Sequence, residues 1–466
     1  MNGRIRMVSS QKTTEAAARQ RCMATEKREG EMEQVSMGMG VEATVSRQKM
    51  TNLAVFASLI GTTIEWYDFF LYGTVTGLVF GKLFFPAANP FISLLLAYTT
   101  YAVGFASRPV GGVLFGHFGD RIGRKPLLVL TLSIMGVSTF LIGLLPTYQS
   151  IGIAAPVILL LLRLLQGIGL GGEWGGAVLM AFEYAPKEKR GFYACVPQVG
   201  LAIGLCLSTG VVALLSSFLS ETAFIAWGWR VAFMLSIVLV AVGLFIRLRI
   251  LETPEFAKLK DSQQIAHVPV KEIFRDYRTN VVLGWGARYI DGVVFNIYAV
   301  FTIAYLVKTL HFAISDVLLA ITIAAFLLIF TIPIASRWSD QIGRRRVFGI
   351  GALISGILSF PMFWLMQYSG SVALMFVAII VPFAIVYPAI YGPEAALFCE
   401  LFDTRVRYSG ISIVYQLSGI VSSAITPLVA TLLLAYGGGK PWLVASYMLV
   451  VGIISAVSVY FMRRTF

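Results

Sequence analysis

Apolar positions in this sequence come in runs of about twenty residues, without the alternation of apolar and polar positions that a barrel strand requires. Each run is long enough to cross a hydrocarbon core of about 30 Å as a helix, the form that satisfies its own backbone in lipid. The runs predict twelve spans, at 53–80, 91–117, 126–146, 151–182, 192–217, 226–249, 280–308, 314–337, 346–367, 371–398, 408–436 and 441–462. The expected fold class is an all-α membrane protein. Composition agrees: 57% of the 466 residues are hydrophobic and 13% charged, about half the charge of a soluble domain.

A net charge of +13 suits a nucleic-acid binder until the charges are placed. Of the 37 Lys and Arg, nine lie in the first fifty residues and nineteen in alternate loops, near 121–125, 187–190, 247–278, 337–346 and 405–407. The opposite loops hold only Lys82, Lys308 and Lys440. This asymmetry puts both termini in the cytoplasm, with the chain multi-pass in the cell membrane. It accounts for the basic charge without nucleic acid. Residues 1–50 are polar and of mixed charge, and read as a disordered cytoplasmic tail, with Met50 as an alternative start. The four cysteines and three histidines show no metal or disulfide spacing. No metal or cofactor is expected, and no span carries the nucleophile–base pair of an enzyme.

Two loops repeat. GHFGDRIGRK (116–125) after the second span matches SRWSDQIGRR (336–345) after the eighth, and EYAPKEKRG (183–191) matches ELFDTRVRYSG (400–410). The chain therefore reads as a six-helix unit repeated: 51–250, a charged linker at 251–278, and 279–466. Parallel repeats of this kind place a ligand at the midplane, between halves that rock against each other. Gly167, Gly169 and Gly172 spell a dinucleotide fingerprint, but they lie inside a span with no strand before them, so close helix packing is the better reading.

GHFGDRIGRK resembles the signature of the major facilitator superfamily between its second and third helices, and RLLQGIGLGG (163–172) resembles its helix-4 motif. EWYDFFLYG, ASRPVGGVLFGHFGDRIGRK, QGIGLGGEWGGA, WGWRVAF and ETPEF, in that order, resemble the metabolite:H⁺ symporter family. That family carries shikimate, α-ketoglutarate, citrate and proline or betaine. The resemblance implies two six-helix halves and alternating access. RYSGISIVYQLSG (407–419) resembles the helix-11 region of the shikimate carrier.

The stretch GTTIEWYDFFLYG (61–73) sets Glu65 and Asp68 in the middle of the first span. A charge at a helix centre costs about 2.5–3.5 kcal/mol on insertion scales. Three residues apart, the two carboxyls share a face, repel each other and favour a bound proton. They either carry the coupled proton or hold helices together. The resemblance places an aspartate at Asp68 and implies a coupling role for Arg163, which pairs with Glu65 or Asp68 if it is structural. In RYIDG (288–292), Arg288 either contacts a substrate anion or neutralises Asp291. Tyr67, Gln198, Asn296, Tyr415 and Gln416 are further substrate-binding candidates, with Tyr98, Tyr101 and Tyr298 behind them. Glu173 and Glu394 read as gate or packing contacts. By resemblance, Asp120 latches the halves by pairing with arginine and a helix N-terminus. Arg121, Gly123, Arg124, Asp340 and Arg344 complete that latch. Pro382, Pro388 and Pro393 mark the tenth span as bent, for gating or for packing.

These features lead to the expectation of a monomeric proton symporter importing a small organic acid. Five intramembrane acids against two midplane arginines, Arg163 and Arg288, keep a zwitterion such as proline or betaine open, and a proton-independent facilitator would share the same fold.

Overall fold

The computed structural model describes residues 48–86, 90–263 and 268–462. Contacts divide the chain into Met1–Asn52 and Leu53–Phe466. Of the first unit only 48–52 are described, and they are helical; the expected disordered tail otherwise lies outside the described residues. All regular structure among the described residues is helical.

Residues 53–84 form α1, and Pro90–Ile122 forms α2. Ten further long apolar helices follow: α3 Arg124–Leu144, α4 Ala154–Tyr184, α5 Lys187–Phe218, α6 Glu221–Leu248, α7 Arg278–Thr309, α8 Ile314–Ile342, α9 Arg344–Tyr368, α10 Val372–Cys399, α11 Arg407–Tyr436 and α12 Trp442–Phe461. Two short helices, Pro254–Asp261 and Pro269–Asp276, occupy the linker. Large apolar side chains such as Leu161, Val238 and Phe330 remain exposed, as a lipid-facing surface requires.

Several boundaries differ from the apolar pattern, and the repeated loops explain why. The polar residues of GHFGDRI continue α2 to Ile122, and the chain then reverses at Gly123 alone. Its φ of 123° is open to glycine, and Gly343, at 110°, makes the same one-residue joint between α8 and α9. The sequence shows a ten-residue loop where the chain forms two helix ends and a hinge.

Gly167, Gly171 and Gly172 of α4 face α2. A Cβ on Gly171 would lie 2.0 Å from the Arg108 carbonyl oxygen, and one on Gly111 would lie 1.9 Å from that of Ile168. This backbone approach keeps Arg108 and Arg163 on neighbouring helices of one wall. α10 passes through a π turn at Val381–Val386 before Pro388 opens its second segment, so its hydrogen-bond register changes beside a residue with no N–H to lose. Between the halves, α2 packs on α11, and α5 packs on α8 and α10.

Candidate functional site

Asp68 and Arg163 are joined through two side chains. Thr139 Oγ1 of α3 donates to Asp68 Oδ2 at 2.7 Å, Gln166 Nε2 donates to Thr139 Oγ1 at 2.6 Å, and Arg163 Nη1 donates to Gln166 Oε1 at 3.1 Å. The direct pairing with Glu65 or Asp68 that a structural role for Arg163 would give is not formed among the described residues. The guanidinium instead lies 4.0 Å from the Tyr72 ring centre and 5.2 Å from that of Tyr101, a cation–π arrangement. Thr139 Oγ1 also has the Met135 carbonyl oxygen at 3.0 Å. Its single proton is thus shared between the Asp68 carboxylate and its own helix, while its oxygen accepts from Gln166.

Glu65 and Asp68 are both buried, and the charged groups nearest to each differ. The charges around Glu65 are Arg108, Glu173 and Arg247, whereas Asp68 faces Thr139 and Arg163. A twist of one turn along α1 is enough to give them different surroundings. Arg108 is the residue missed in the sequence. Its guanidinium lies 4.7 Å from the Phe69 ring centre, 4.8 Å from Phe105 and 5.6 Å from Trp66. A signal was present: Arg108 precedes Asp120 by enough residues to lie about 18 Å inside the helix. Arg247 is a second buried arginine outside the expected pair, held by Glu173, which also accepts from Thr131 at 2.9 Å.

In the other half, Arg288 forms an ion pair with Asp291, and its Nε lies 3.1 Å from Glu394 Oε1. Glu394, read from the sequence as a gate or packing contact, thus sits with Arg288 and Asp291. Tyr387 donates to Asp291 Oδ1 at 2.6 Å. Tyr415 is held between the two halves: its ring stacks on Trp174 of α4 at 3.6 Å, and the Arg288 guanidinium lies 4.2 Å from its centre.

The remaining candidates are placed elsewhere. The Tyr67 hydroxyl donates to the Ala232 carbonyl oxygen at 2.9 Å, and Asn296 donates to that of Gly292 at 2.8 Å, on its own helix. Gln198 donates to the Tyr391 carbonyl oxygen and Gln416 to that of Gly171 at 3.0 Å, so both bridge the halves through backbone. Tyr98 is exposed, and Tyr298 is buried.

At the end carrying the basic loops, Asp120 accepts from the N–H groups of Tyr408 and Ser409 at 3.1 and 2.9 Å, at the start of α11. Asp340 accepts from Gly191 and Phe192, both at 2.9 Å, near the start of α5. Arg124 lies 3.6 Å from Asp120, and Arg344 lies 2.7 Å from Asp340 and pairs with Glu400. Asp120 and Arg124 are fully buried rather than solvated loop charges. Arg121 points to solvent and does not join them.

The linker completes this network. Glu255 pairs with Arg190 of α5 and, at 2.6 Å, with Arg407 of α11, while Glu183 lies 3.3 Å from Arg407. Burial pushes the Glu255 carboxyl up, but Arg407 and Arg190 outweigh it and hold it below the usual carboxylate range. The repeat signals Glu183, Arg190, Glu400 and Arg407, whereas nothing in the spacing of ETPEF marks Glu255 as their partner.

Family models match along most of the chain: Sugar (and other) transporter over residues 53–273, and Major Facilitator Superfamily over 290–466. The shikimate transporter of Escherichia coli K12 is 37% identical over 424 residues, 91% of this chain and 96% of its own length. The proline/betaine transporter of the same strain is 32% identical over 421 residues, 88% of this chain and 83% of its own length. Among solved structures, the proton:xylose symporter XylE bound to 6-bromo-6-deoxy-D-glucose superposes with a TM-score of 0.73 at 18% identity. That match covers 90% of this chain and 97% of the symporter, and shows the shared fold.

Proposed function

This chain belongs to the major facilitator superfamily, in its metabolite:H⁺ symporter family, and on that premise we propose that it imports a small organic acid together with protons. It is a multi-pass transporter of small molecules. In our reading it lies in the cell membrane as a monomer with cytoplasmic termini, so that the basic-loop end faces inward.

The observation that carries this reading is the hydrogen-bonded line from Asp68 through Thr139 and Gln166 to Arg163. Asp68 Oδ1 is buried without a hydrogen-bond partner and is the oxygen at which a proton is taken up. Thr139 donates to Oδ2 whether or not Oδ1 holds a proton, so the line persists in both protonation states. Protonation removes the charge that Arg163 stabilises across this line, and so biases the equilibrium between inward- and outward-open forms. Asp120 and Asp340, each capping a helix of the opposite half, hold the inward end shut and must let go when that end opens.

An organic acid is supported by the cations of the central cluster and by the similarity to a shikimate transporter. The test is uptake of shikimate, α-ketoglutarate, citrate, proline and betaine into proteoliposomes, with and without an inward proton gradient. One acid should accumulate with the gradient, and Asp68→Asn should abolish accumulation while exchange persists. Equal uptake without a gradient, unchanged in the variant, would make the protein a facilitator.

A further inference from the structure

The buried arginines of the central region differ in what they hold. Arg247 is committed to Glu173 and, at 2.6 Å, to the Leu128 carbonyl oxygen; Arg288 is committed to Asp291 and Glu394. Arg108 has no carboxylate in ion-pair contact among the described residues, and its Nε and Nη2 are buried without a hydrogen-bond partner. These two nitrogens form the side edge of the guanidinium, the edge that grips a carboxylate with two parallel bonds. A charge that cannot be shed and whose donors are unsatisfied is costly to bury unless a partner arrives. On the adjoining helix α1, Thr63 Oγ1, Trp66 Nε1 and Glu65 Oε2 are buried without partners as well.

Arg163 has the same edge free, but it packs so closely on α2 that a Cβ on Gly104 would lie 2.4 Å from its Nε. It also belongs to the line that reaches Asp68. Arg108 lies in the electrostatic reach first of Glu65, which makes no ion-pair contact with it among the described residues, and then of Tyr415 and Arg288 of the opposite half, so its environment spans the region where the halves meet.

The aromatic faces indicate the ligand's charge. Trp66, Phe69 and Phe105 compose the kind of cage that takes an ammonium, and here it is filled by the Arg108 guanidinium. Tyr72 and Tyr101 are filled in the same way by Arg163. A quaternary ammonium would find these faces taken by a fixed charge of its own sign, whereas a carboxylate would meet an open pair of donors. We infer that Arg108 grips the substrate's carboxylate through its Nε–Nη2 edge, and that the substrate is an organic anion with no permanent cationic centre. The inference rests on the reading of the chain as an organic-acid carrier and is independent of proton coupling.

The experiment is equilibrium binding of shikimate, α-ketoglutarate, citrate and glycine betaine to the full-length protein in nanodiscs, without a gradient. It is followed by tryptophan fluorescence, for which Trp66 beside Arg108 is a built-in reporter, and by calorimetry. At least one acid binds saturably, and glycine betaine does not. Arg108→Lys keeps the charge and the cage but loses the two-pronged grip, and weakens binding roughly tenfold; Arg108→Gln weakens it roughly a hundredfold. Acid binding unchanged in the lysine variant, betaine binding tighter than that of every acid, or no acid binding at all would each overturn the inference. Gradient-driven uptake by the same preparations reads the other question. Acid uptake indifferent to the gradient removes proton symport and leaves the Arg108 assignment standing.

Discussion

Asp120 and Asp340 perform the same task on opposite halves. Each sits one turn before a glycine joint, and each accepts two consecutive backbone N–H groups where a helix of the other half begins. The carboxylate meets both unsatisfied donors and the positive end of the helix dipole, so the contact is strongest with the halves closed at this end. On the latch reading proposed above, removing it should shift the balance between conformations more than it damages either half.

Asp120→Ala and Asp340→Ala should each favour opening at this end by about 1–2 kcal/mol, roughly a 5- to 30-fold change in population. The two effects should add only partly, because both carboxylates release in the same movement. The measurement is the labelling rate of a single cysteine placed at Ser412, buried beside Gly175, in a background lacking the native cysteines. Rates equal to the parent in both variants would remove the latch.

Thr139→Val keeps the shape of the side chain and deletes the hydroxyl that joins Asp68 to Gln166. Proton-driven accumulation should fall roughly tenfold, the loss expected for one buried hydrogen bond to a charged group. Exchange of substrate should change little, and Thr139→Ser should restore accumulation. An equal loss in both assays would assign Thr139 to packing.

The clamp at Glu255 carries a definite pH dependence. Its carboxyl is held below the ordinary value of 4.5, so the clamp is complete above that value and is lost only as the pH falls through the still lower value of the folded protein. Trypsin cleavage of the linker at Lys258 and Lys260, both exposed, should therefore be uniformly slow from about pH 6 to 8 after correction for the protease. Glu255→Gln should accelerate it at every pH in that interval. A cleavage rate that rises across the interval in the parent protein would sink the assignment.

Gly111→Ala forces a methyl group to within 1.9 Å of the Ile168 carbonyl oxygen, and should destabilise the protein by about 1–3 kcal/mol or more. Gly349→Ala meets nothing within 4 Å and should be neutral, or stabilising by up to about 1 kcal/mol. Thermal unfolding of the two variants in the same detergent distinguishes them.

Much of the fold is legible because its signals are local. Span length, the side on which Arg and Lys gather, and the duplicated GHFGDRIGRK and SRWSDQIGRR each need only one stretch of chain. The i, i+3 pairs Arg163–Gln166 and Arg288–Asp291 are legible for the same reason. The stacking of Tyr415 on Trp174, the capping of α11 by Asp120 and the bridge from Arg190 through Glu255 to Arg407 depend on how two halves register. No periodicity within either half carries that register. Arg108 stayed hidden because its cage draws Trp66 and Phe69 from α1 and only Phe105 from its own helix, so no single helix displays the whole arrangement.

The joints at Gly123 and Gly343 leave the chain one residue in which to turn from one spanning helix to the next. Connectors that short have no slack. A displacement at the foot of α2 is delivered undamped to α3, and one at the foot of α8 to α9. The aspartates fastened across the seam sit immediately beside these joints. Each half is thereby coupled from helix to helix at its foot and fastened there to the half opposite. On the alternating-access reading proposed above, these two glycines are where a movement of one spanning helix is handed to the next.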